Sequence, residues 1–380
     1  MRILHICLAN YYLEGLGYQE NILPMYHKKF GNEVVIFTAE HVFDSKDFEC
    51  KNDVYVNNFG VSVKSIKSGR KYGYFSKYRE YDNLYYEIEA IKPDIIFVHG
   101  GQFISLIDVI RYAKKHKDVK MYIDQHGDYY NTPVNTFRRR IAARFIFGFW
   151  IRRAVKYTKR FWGVTPWRCQ YLNEIYGVPK KKIDLLTMGG DDEKIDFEKK
   201  EEIRTEIRKE LGLKPEDFVI ITGGKINKAK NIHLLMQAVS ELSINNLKLV
   251  VFGQANDDMA NEIELLAKDD NIKYIGWISS ENVYDYFLMS DLALFPGTHS
   301  VLWEQACACG LPGVFKNWEG MRHVSVNGNC DFLYNDSVKE IKEKIVEIYS
   351  QREKYISMKS AAENCKEKFF YSEIAKKSIS

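Results

Sequence analysis

The sequence predicts an α/β protein of two domains, each built around a doubly wound parallel sheet. Three observations lead to this prediction. Short apolar, β-branched runs recur along the 380 residues, and helix-like stretches separate them. Near-continuous apolar strands that alternate with helices are typical of parallel sheets covered on both faces. A charge-dense stretch at 191–217 divides the runs into two groups, and the length suits two domains of roughly 150 residues each.

The predicted strands form two series. The first comprises RILHICLA (2–9), EVVIFTAE (33–40), DIIFVHGG (94–101), KMYIDQHGD (120–128), FWGVTP (161–166) and IDLLTMGGD (183–191). The second comprises FVIITGGK (218–225), LKLVVFGQ (247–254), IKYIGWIS (272–279) and DLALFPG (291–297). We predict domains of residues 1–192 and 193–365, with a C-terminal helix at 366–380 that packs back on the first. Ligand loops are expected at the carboxyl ends of the strands, in a cleft between two facing sheets.

Composition and cysteine usage narrow the class of protein. No apolar run approaches the roughly 18 residues that cross a bilayer, and the N-terminal MRILHICLANYY lacks a cleavage site and is predicted to be the first strand. Seven cysteines without a C-x-x-C pair are typical of scattered thiols in a reducing compartment. We therefore predict a cytoplasmic protein.

Basic charge is concentrated in one segment. Between Tyr129 and Asn173 there are ten lysines and arginines and no acidic residue, although the whole chain carries only +4. The segment contains the apolar run FIFGFWI (145–151), which is too short to span a bilayer but suits its interface. Arg138, Arg139, Arg140 and Arg144 are then expected to face anionic head groups or the acceptor. The alternative is a core helix with solvated basic ends, and nothing else in the chain supports nucleic-acid binding.

Two lysines flank the loop that follows FVIITGG. Gly223 and Gly224 allow close backbone approach, and Lys225 and Lys230 lie five residues apart around the turn into a helix. Two ammonium groups at such a loop suit a diphosphate, whose developing negative charge they stabilise. A solvated, lysine-rich turn is the alternative.

The stretch FPGTHSVLWEQACACG (295–310) contains a single carboxylate, Glu304, with no Lys or Arg within ten residues on either side. An unpaired buried charge costs several kcal/mol, so Glu304 needs a partner from elsewhere in the chain or from a ligand. A helix that begins near residues 299–302 directs free backbone N–H groups towards an anion. We expect Glu304, in its first turn, to accept hydrogen bonds from two ribose hydroxyls of a nucleotide sugar.

Together, GGKINKAKN, FPGTHSVLWEQACACGLPGV, KKKIDLLTMGGD (180–191) and the closing FFYSEIAKK resemble the retaining group-1 glycosyltransferases of the GT-B fold, which have two Rossmann-like domains. The resemblance implies transfer of a sugar from a nucleotide-sugar donor, a UDP-sugar, to a glycan or lipid-linked glycan in surface polysaccharide biosynthesis. It also implies peripheral attachment at the inner face of the cell membrane, and no metal or other cofactor. In the family, positions matching Lys225 and Lys230 hold the diphosphate, and the position matching Glu304 holds the ribose.

The resemblance also implies roles for residues that carry little signal alone. His126 is expected beside the donor sugar and acceptor, with Asp128 as a second candidate, although a lone histidine at a strand end is more often structural. The remaining donor-binding residues implied are Gly15, Gly17, Gly224, Ile278, His299, Ser300 and Val301.

The chain departs from the family pattern at two positions. Lys225 stands where the family usually has arginine, which gives charge without the bidentate fork. Pro296 stands where the family has a second glutamate, eight residues before the ribose glutamate. His299 and Ser300 lie where the family's loop approaches the sugar. Two alternative functions therefore stay open: a sugar-nucleotide 2-epimerase of the same fold, and a non-catalytic sugar-binding subunit.

Overall fold

The computed structural model describes residues 1–9, 12–15, 17–39, 54–67, 79–129, 141 and 144–380. These residues form two compact units. The first unit comprises Met1–Thr187 and Ile374–Ser380, and the second comprises Met188–Glu373. The chain thus leaves the first unit five residues before the predicted boundary at 192, and returns to it at 374 rather than at 366.

The first unit is built around an eight-stranded sheet. In chain order its strands are β1 (Arg2–Cys7), β2 (Glu33–Ala39), β3 (Val54–Val56), β4 (Ser62–Ile66), β5 (Ile95–His99), β6 (Lys120–Gln125), β7 (Thr158–Gly163) and β8 (Ile183–Leu185). Their spatial order is β3-β4-β2-β1-β5-β6-β7-β8. Only β3 pairs in the antiparallel sense, with β4. The central strands are buried throughout, which explains why their sequences are apolar without alternation.

Helices cover this sheet. They are α1 (Gln19–Lys29), α2 (Leu84–Ile91), α3 (Leu106–Lys115), α4 (Phe147–Ala154) and α5 (Pro166–Glu174). Local sequence explains where α5 begins: Pro166 is its first residue, and the Thr165 hydroxyl accepts a hydrogen bond from the backbone N–H of Arg168 at 3.3 Å. No helix among the described residues combines the length and the apolar character that crossing a membrane requires.

The second unit is built around a six-stranded, wholly parallel sheet. Its strands are β9 (Phe218–Gly223), β10 (Leu247–Phe252), β11 (Ile272–Gly276), β12 (Leu292–Phe295), β13 (Gly313–Lys316) and β14 (Cys330–Leu333). They lie in the order β11-β10-β9-β12-β13-β14, so the direction of winding reverses between β9 and β12.

Eight further helices complete the described chain. They are α6 (Lys200–Glu210), α7 (Ile232–Leu242), α8 (Ala260–Leu266), α9 (Val283–Met289), α10 (Leu302–Ala308), α11 (Val338–Ser350), α12 (Arg352–Cys365) and α13 (Tyr371–Ser378). Short 3-10 turns occur at Lys180–Lys182, Asp192–Lys194, Lys228–Lys230, Arg322–Val324 and Lys366–Phe369. In α7, the buried Ile232, Leu235, Met236 and Val239 recur at helical spacing and join the core of the unit.

All ten strands predicted from the sequence are present, but four others were missed. These are β3, β4, β13 and β14, which have three to five residues each. Their runs are short, so periodicity alone did not separate them from loops.

Helix α6 lies within the charge-dense stretch at 191–217 and is bonded to the core of the second unit. Arg208 is buried, donates to the carbonyl oxygen of Met289 at 3.0 Å, and pairs with the carboxylate of Asp291 at 2.7 Å. Arg204 pairs with the other oxygen of Asp291, also at 2.7 Å. Asp291 further accepts from the backbone N–H of Val219 at 2.8 Å. The carboxylate therefore fastens α6 to the starts of β9 and β12.

The C-terminus is fastened to the first unit by backbone carbonyls. The Tyr122 hydroxyl donates to the carbonyl oxygen of Ile379 at 2.9 Å, and the Trp162 indole donates to that of Ser378 at 3.0 Å. Lys377 donates to the carbonyl oxygen of Leu185 at 2.7 Å. These bonds hold the end of α13 against β6, β7 and β8.

We predict that Gly253→Ala, after β10, destabilises the second unit strongly. Gly253 has a φ of +113°, and an added Cβ would lie 1.9 Å from the carbonyl oxygen of Gly224. Backbone strain and overlap together should cost about 3 kcal/mol of unfolding free energy. Gly212→Ala is the control: its φ is +65° but nothing lies within 4 Å, so strain alone should cost about 1–2 kcal/mol. Urea unfolding measures both, and equal losses would contradict the role of the close approach.

Candidate functional site

The reversal between β9 and β12 defines the place for a ligand in the second unit. In open parallel sheets, ligands bind outside the carboxyl ends of the strands at such a reversal. The loop after β9 contains Gly224, Lys225 and Lys230, and the loop after β12 leads through His299 and Ser300 into α10. The fold thus brings the two lysines and the stretch around Glu304 to one edge of one sheet.

These two loops are bonded to each other. The backbone N–H of Thr298 donates to the carbonyl oxygen of Ala229 at 3.0 Å. The Lys230 ammonium donates to the carbonyl oxygens of Thr298 at 2.7 Å and His299 at 3.0 Å. Gly297 packs so closely that a Cβ there would lie 2.3 Å from the Lys230 backbone. Two of the three Lys230 N–H groups therefore hold the loops together, and no described residue accepts a hydrogen bond from the third.

The two lysines differ in environment. Burial lowers the pKa of Lys230 to about 8, because desolvation disfavours the charged ammonium. Lys225 is exposed, and no described residue forms a hydrogen bond or ion pair with its ammonium. Gly224 has a φ of +104°, which is the left-handed region that favours glycine at this turn.

Glu304 has protein partners, which corrects the expectation that only a ligand would supply them. Its side chain is fully buried in α10, and its Oε1 accepts from the Nε2 of His299 at 2.8 Å and of His323 at 2.6 Å. Burial alone would raise the pKa of Glu304, but the two imidazoles outweigh it and lower that pKa to about 2. Glu304 is therefore an ionised carboxylate at neutral pH.

One oxygen of Glu304 remains unused. Its Oε2 is buried and has no hydrogen-bond partner among the described residues. A carboxylate oxygen accepts up to two hydrogen bonds, so Oε2 is a ready acceptor for hydroxyl groups. His299, Glu304 and His323 also form a set of residues of the kind that ligates metals. Ligand atoms around a tetrahedral zinc ion lie about 3.3 Å apart, whereas these atoms are 2.6 and 2.8 Å apart, the spacing of hydrogen bonds.

His323 is the residue that sequence reasoning missed. It lies in a 3-10 turn after β13, nineteen residues from Glu304, and its side chain is fully buried. The stretch around it, EGMRHVSVNGN, has no periodicity or motif that indicates a site. The only available signal was the unpaired Glu304 itself, which demanded a partner without saying which one.

The remaining predicted donor-binding residues of this unit lie along the same edge. Ser300 and Val301 are half-buried and lead directly into α10. Ile278 is half-buried two residues after β11, beside the exposed Trp277. Pro296, in place of the family's second glutamate, directly follows β12, and its carbonyl oxygen accepts from Asn231 at 3.2 Å.

In the first unit, winding reverses between β1 and β5, and His126 follows the neighbouring strand β6. The Nε2 of His126 donates to Oδ2 of Asp124 at 3.2 Å, and the Nδ1 of His99 donates to the same oxygen at 2.9 Å. Burial lowers the pKa of His126, but the Asp124 carboxylate more than offsets this and raises it overall. The two histidines in turn lower the pKa of Asp124 against its burial.

The first unit also contains three other predicted residues, Gly15, Gly17 and Asp128. Gly15, with a φ of +76°, and Gly17 lie in the loop from β1 to α1, and an added Cβ at either would meet nothing within 4 Å. Asp128 is buried and pairs with Arg168 at 3.2 Å. The side chain of Gln19, at the start of α1, is buried with both amide atoms unbonded to described residues, and sequence reasoning missed it.

The basic, aromatic segment is described only from its C-terminal part. Arg138, Arg139 and Arg140 lie outside the described residues. Arg144 donates to the carbonyl oxygen of Glu174 at 3.1 Å. Helix α4 buries Gly148, Ile151 and Ala154 against the first unit, whereas Phe145 and Phe149 are exposed and Arg153 stacks 4.1 Å above the Phe149 ring. The helix is therefore amphipathic, with one buried face and one exposed face. The continuous apolar run in its sequence did not indicate this.

Comparison with known proteins bears on the family and the fold of the chain. Residues 203–365 match the family model described as Glycosyl transferases group 1. An uncharacterized glycosyltransferase of Methanocaldococcus jannaschii is 22% identical over 217 residues, 54% of this chain and 55% of that protein. The N-acetyl-alpha-D-glucosaminyl L-malate synthase of Bacillus anthracis is 23% identical over 43% of each chain. The match thus spans about half the length of these curated relatives.

Solved structures resemble the whole chain. A structure of Anabaena HepE in complex with UDP has a TM-score of 0.71 at 14% identity, over 99% of this chain and 98% of that one. WaaG, a glycosyltransferase involved in lipopolysaccharide biosynthesis, has a TM-score of 0.66 at 15% identity, over 99% and 98%. A putative UDP-N-acetylglucosamine 2-epimerase of Listeria monocytogenes has a TM-score of 0.57 at 14% identity, over 99% and 94%. The predicted GT-B fold is confirmed.

We predict that His323→Phe lowers the free energy of unfolding by about 3 kcal/mol, because it leaves the buried Glu304 carboxylate with one donor instead of two. In a Glu304→Gln background the same change should cost at least about 1 kcal/mol less, since no buried charge is left short of a donor. Urea unfolding of the four proteins gives this coupling energy.

His233→Phe in α7 is the matched control. His233 is a half-buried histidine of the same unit whose Nδ1 has no partner among the described residues. It should show no coupling to Glu304→Gln. Additive losses for His323→Phe and Glu304→Gln would show that the two side chains do not stabilise each other.

Proposed function

Because residues 203–365 match the family model of the group 1 glycosyl transferases, we propose that the chain transfers a sugar from a nucleotide-sugar donor to a glycan or lipid-linked glycan, with retention of anomeric configuration. The observation that carries this proposal is that one edge of the sheet holds both the ammonium of Lys230 and the ionised Glu304, whose Oε2 has no partner among the described residues. A cation and a carboxylate acceptor are what the diphosphate and the ribose of such a donor require.

The donor is proposed to be a UDP-sugar. HepE, which shares the fold, was solved in complex with UDP. In this chain, Lys230 and the exposed Lys225 would bind the diphosphate, and Oε2 of Glu304 would accept hydrogen bonds from ribose hydroxyls. His299 and His323 would then act through Glu304. Their hydrogen bonds to Oε1 keep the carboxylate charged and orient Oε2 towards the ribose. Ile278 is proposed to contact the base, and His299, Ser300 and Val301 to approach the sugar and diphosphate.

The proposed chemistry relies on charge stabilisation of the leaving group. As the bond from the anomeric carbon to the diphosphate breaks, negative charge grows on the diphosphate, and each well-placed ammonium contributes on the order of 3 kcal/mol. A phosphate oxygen then accepts the proton of the acceptor hydroxyl, which attacks from the same face. In this proposal lysines, not a metal ion, neutralise the diphosphate. His126, held by Asp124, is assigned to the donor sugar and acceptor.

The acceptor is proposed to be carried at the cytoplasmic face of a membrane, in surface polysaccharide biosynthesis. WaaG acts in lipopolysaccharide biosynthesis. The outward face of α4 supports a surface role here, because it exposes Phe149 beneath Arg153, and Phe145 and Lys156 are exposed just outside the two ends of the helix. Aromatic side chains with adjacent basic residues suit an interface with anionic lipids.

A 2-epimerase is the second candidate, because one structure with this fold is described as a putative epimerase. An epimerase converts its substrate without an acceptor, whereas a transferase needs one. A non-catalytic subunit would bind the nucleotide and turn nothing over. Incubation of the donor with and without lipid-linked acceptors therefore separates the three functions.

We predict that Lys230→Ala lowers kcat/KM for donor consumption by a factor on the order of 100. In the wild type, kcat/KM should also fall as the pH rises through about 8, the lowered pKa of Lys230, because the free enzyme then loses the charge that attracts the diphosphate. The variant should lack this decline.

Lys228→Ala is the control, since Lys228 is exposed in the same 3-10 turn. It should retain both the rate and the alkaline decline. Full activity of Lys230→Ala, or an identical response of the two variants, would contradict the diphosphate assignment.

For the membrane assignment, we predict binding to vesicles that contain anionic lipid and weaker binding in high salt. Each basic residue near such a surface contributes about 1 kcal/mol, so Arg153→Glu with Lys156→Glu should weaken binding at least about tenfold. Phe149→Ser should weaken it further, whereas Phe59→Ser, at an exposed phenylalanine between β3 and β4, should not. Equal sedimentation with neutral and anionic vesicles would contradict the assignment.

A further inference from the structure

Three buried histidines extend inward from Asp124 in a continuous hydrogen-bonded line. The Nδ1 of His99 contacts Asp124 at 2.9 Å, and its Nε2 contacts the Nδ1 of His5 at 2.9 Å. The Nε2 of His5 contacts the Nδ1 of His27 at 3.0 Å. The Nε2 of His27 contacts the carbonyl oxygen of Ala375 at 3.0 Å. We call His99, His5 and His27 the histidine chain.

The fold accounts for this line. His5 lies on β1, His99 ends β5 and Asp124 lies on β6, and these strands are neighbours in the sheet. His27 reaches it from α1, and Ala375 belongs to α13. The three imidazoles are between 0% and 2% exposed, so water does not supply or remove their protons easily.

The number of protons in the chain follows from its two ends. At one end the ionised Asp124 only accepts, so Nδ1 of His99 carries hydrogen. At the other end the Ala375 carbonyl also only accepts. Ser378, which lies 3.1 Å from Nε2 of His27, donates its hydroxyl to the same carbonyl at 2.8 Å. Nε2 of His27 therefore carries hydrogen as well.

Between these ends lie two contacts from one ring nitrogen to another, and each is a hydrogen bond only if it contains one hydrogen. Three neutral imidazoles carry three hydrogens on their ring nitrogens. The two ends and the two inner contacts require four. A buried contact between two bare nitrogens would leave both unsatisfied, which costs about 1–3 kcal/mol.

We infer that the histidine chain holds one proton more than three neutral imidazoles, as the buried counter-charge of Asp124, and that His99, His5 and His27 are thereby positioning residues for His126. Burial lowers the pKa of His5, and it lowers that of His27 to about 4. The geometry places the extra proton on His99, because this imidazole contacts the carboxylate at 2.9 Å and the attraction between opposite charges is strongest at the shortest distance. His5 and His27 are then neutral, each with its hydrogen on Nε2.

The consequence for His126 is a fixed orientation and tautomer. The histidine chain keeps Asp124 ionised, and Asp124 accepts a hydrogen bond from Nε2 of His126. The other ring nitrogen of His126 therefore points away from the carboxylate. Other ionisable groups that act on this end are Glu20 and Cys7, on the side of α1 and β1, and Arg168. Only the use of His126 in sugar transfer rests on the proposed function; the proton count does not.

The test is NMR of the ring nitrogens in protein labelled with 15N-histidine. The chain has nine histidines, and single His→Gln variants assign the signals. At pH 8, where a free histidine with a pKa of about 6.5 is neutral, we expect both nitrogens of His99 to carry hydrogen. His5 and His27 should be neutral with hydrogen on Nε2. A neutral His99 at pH 8, or hydrogen on Nδ1 of His27, would overturn the inference.

Two variants test the two ends of the histidine chain. Ser378→Ala should leave this pattern unchanged, because the serine hydroxyl does not supply a hydrogen to His27. Asp124→Asn should release the extra proton, so that His99 is neutral at pH 8. A changed pattern in Ser378→Ala would mean that the serine hydroxyl donates to His27, which would overturn the proton count. An unchanged pattern in Asp124→Asn would mean that the extra proton is not the counter-charge of Asp124.

A third variant tests positioning without substrate. His5→Phe interrupts the histidine chain, so Asp124 loses its buried counter-charge. The uncompensated carboxylate should then raise the pKa of His126 by about one pH unit. His116→Phe, at a surface histidine that pairs with Glu89, should not change it. An unmoved pKa in folded His5→Phe would remove the positioning role, and the wild-type spectrum decides the proton count if this variant does not fold. A protein that shows the expected spectrum but transfers no sugar would refute the proposed function alone.

Discussion

The direction of the parallel strands places the residues of the candidate site in the second unit. Parallel neighbours must be joined by crossovers, so all the carboxyl ends of a sheet lie at one edge and all the returning helices lie on its faces. In the second unit, the winding reverses between β9 and β12. The loops after these strands meet there and are joined by the hydrogen bonds of Lys230, at the place where ligands bind in open parallel sheets.

Each unit contains one buried carboxylate that accepts from two imidazoles. Asp124 does so in the first unit and Glu304 in the second. At Glu304, a lysine or arginine partner would remove much of the carboxylate's negative potential through its permanent charge. Imidazoles donate hydrogen bonds while carrying no obligatory charge. They therefore keep the carboxylate ionised and oriented, and leave part of its capacity to accept for another group.

Lys230 has a structural role in addition to the diphosphate binding proposed for it. Its ammonium bonds the loops after β9 and β12 to each other through two carbonyl oxygens. Those bonds fix its position before any ligand arrives, so little side-chain entropy is lost when an anion binds. Burial lowers its pKa towards neutrality, and this is the cost of such preorganisation. Lys225, which is exposed, has charge without this constraint.

The sequence by itself determined the strand series, the division into two parts, the pair Lys225 and Lys230, and the isolation of Glu304. These features are local: a buried strand is visible as an apolar run, and a carboxylate without neighbouring cations is visible as a gap in the charge pattern. The tertiary structure decided what contacts what. His323 reaches Glu304 across nineteen residues, and His5 meets His99 across ninety-four, because strand order rather than chain distance sets those neighbours. The short strands β13 and β14 and the buried Arg208 of α6 likewise depend on packing partners that no local window contains.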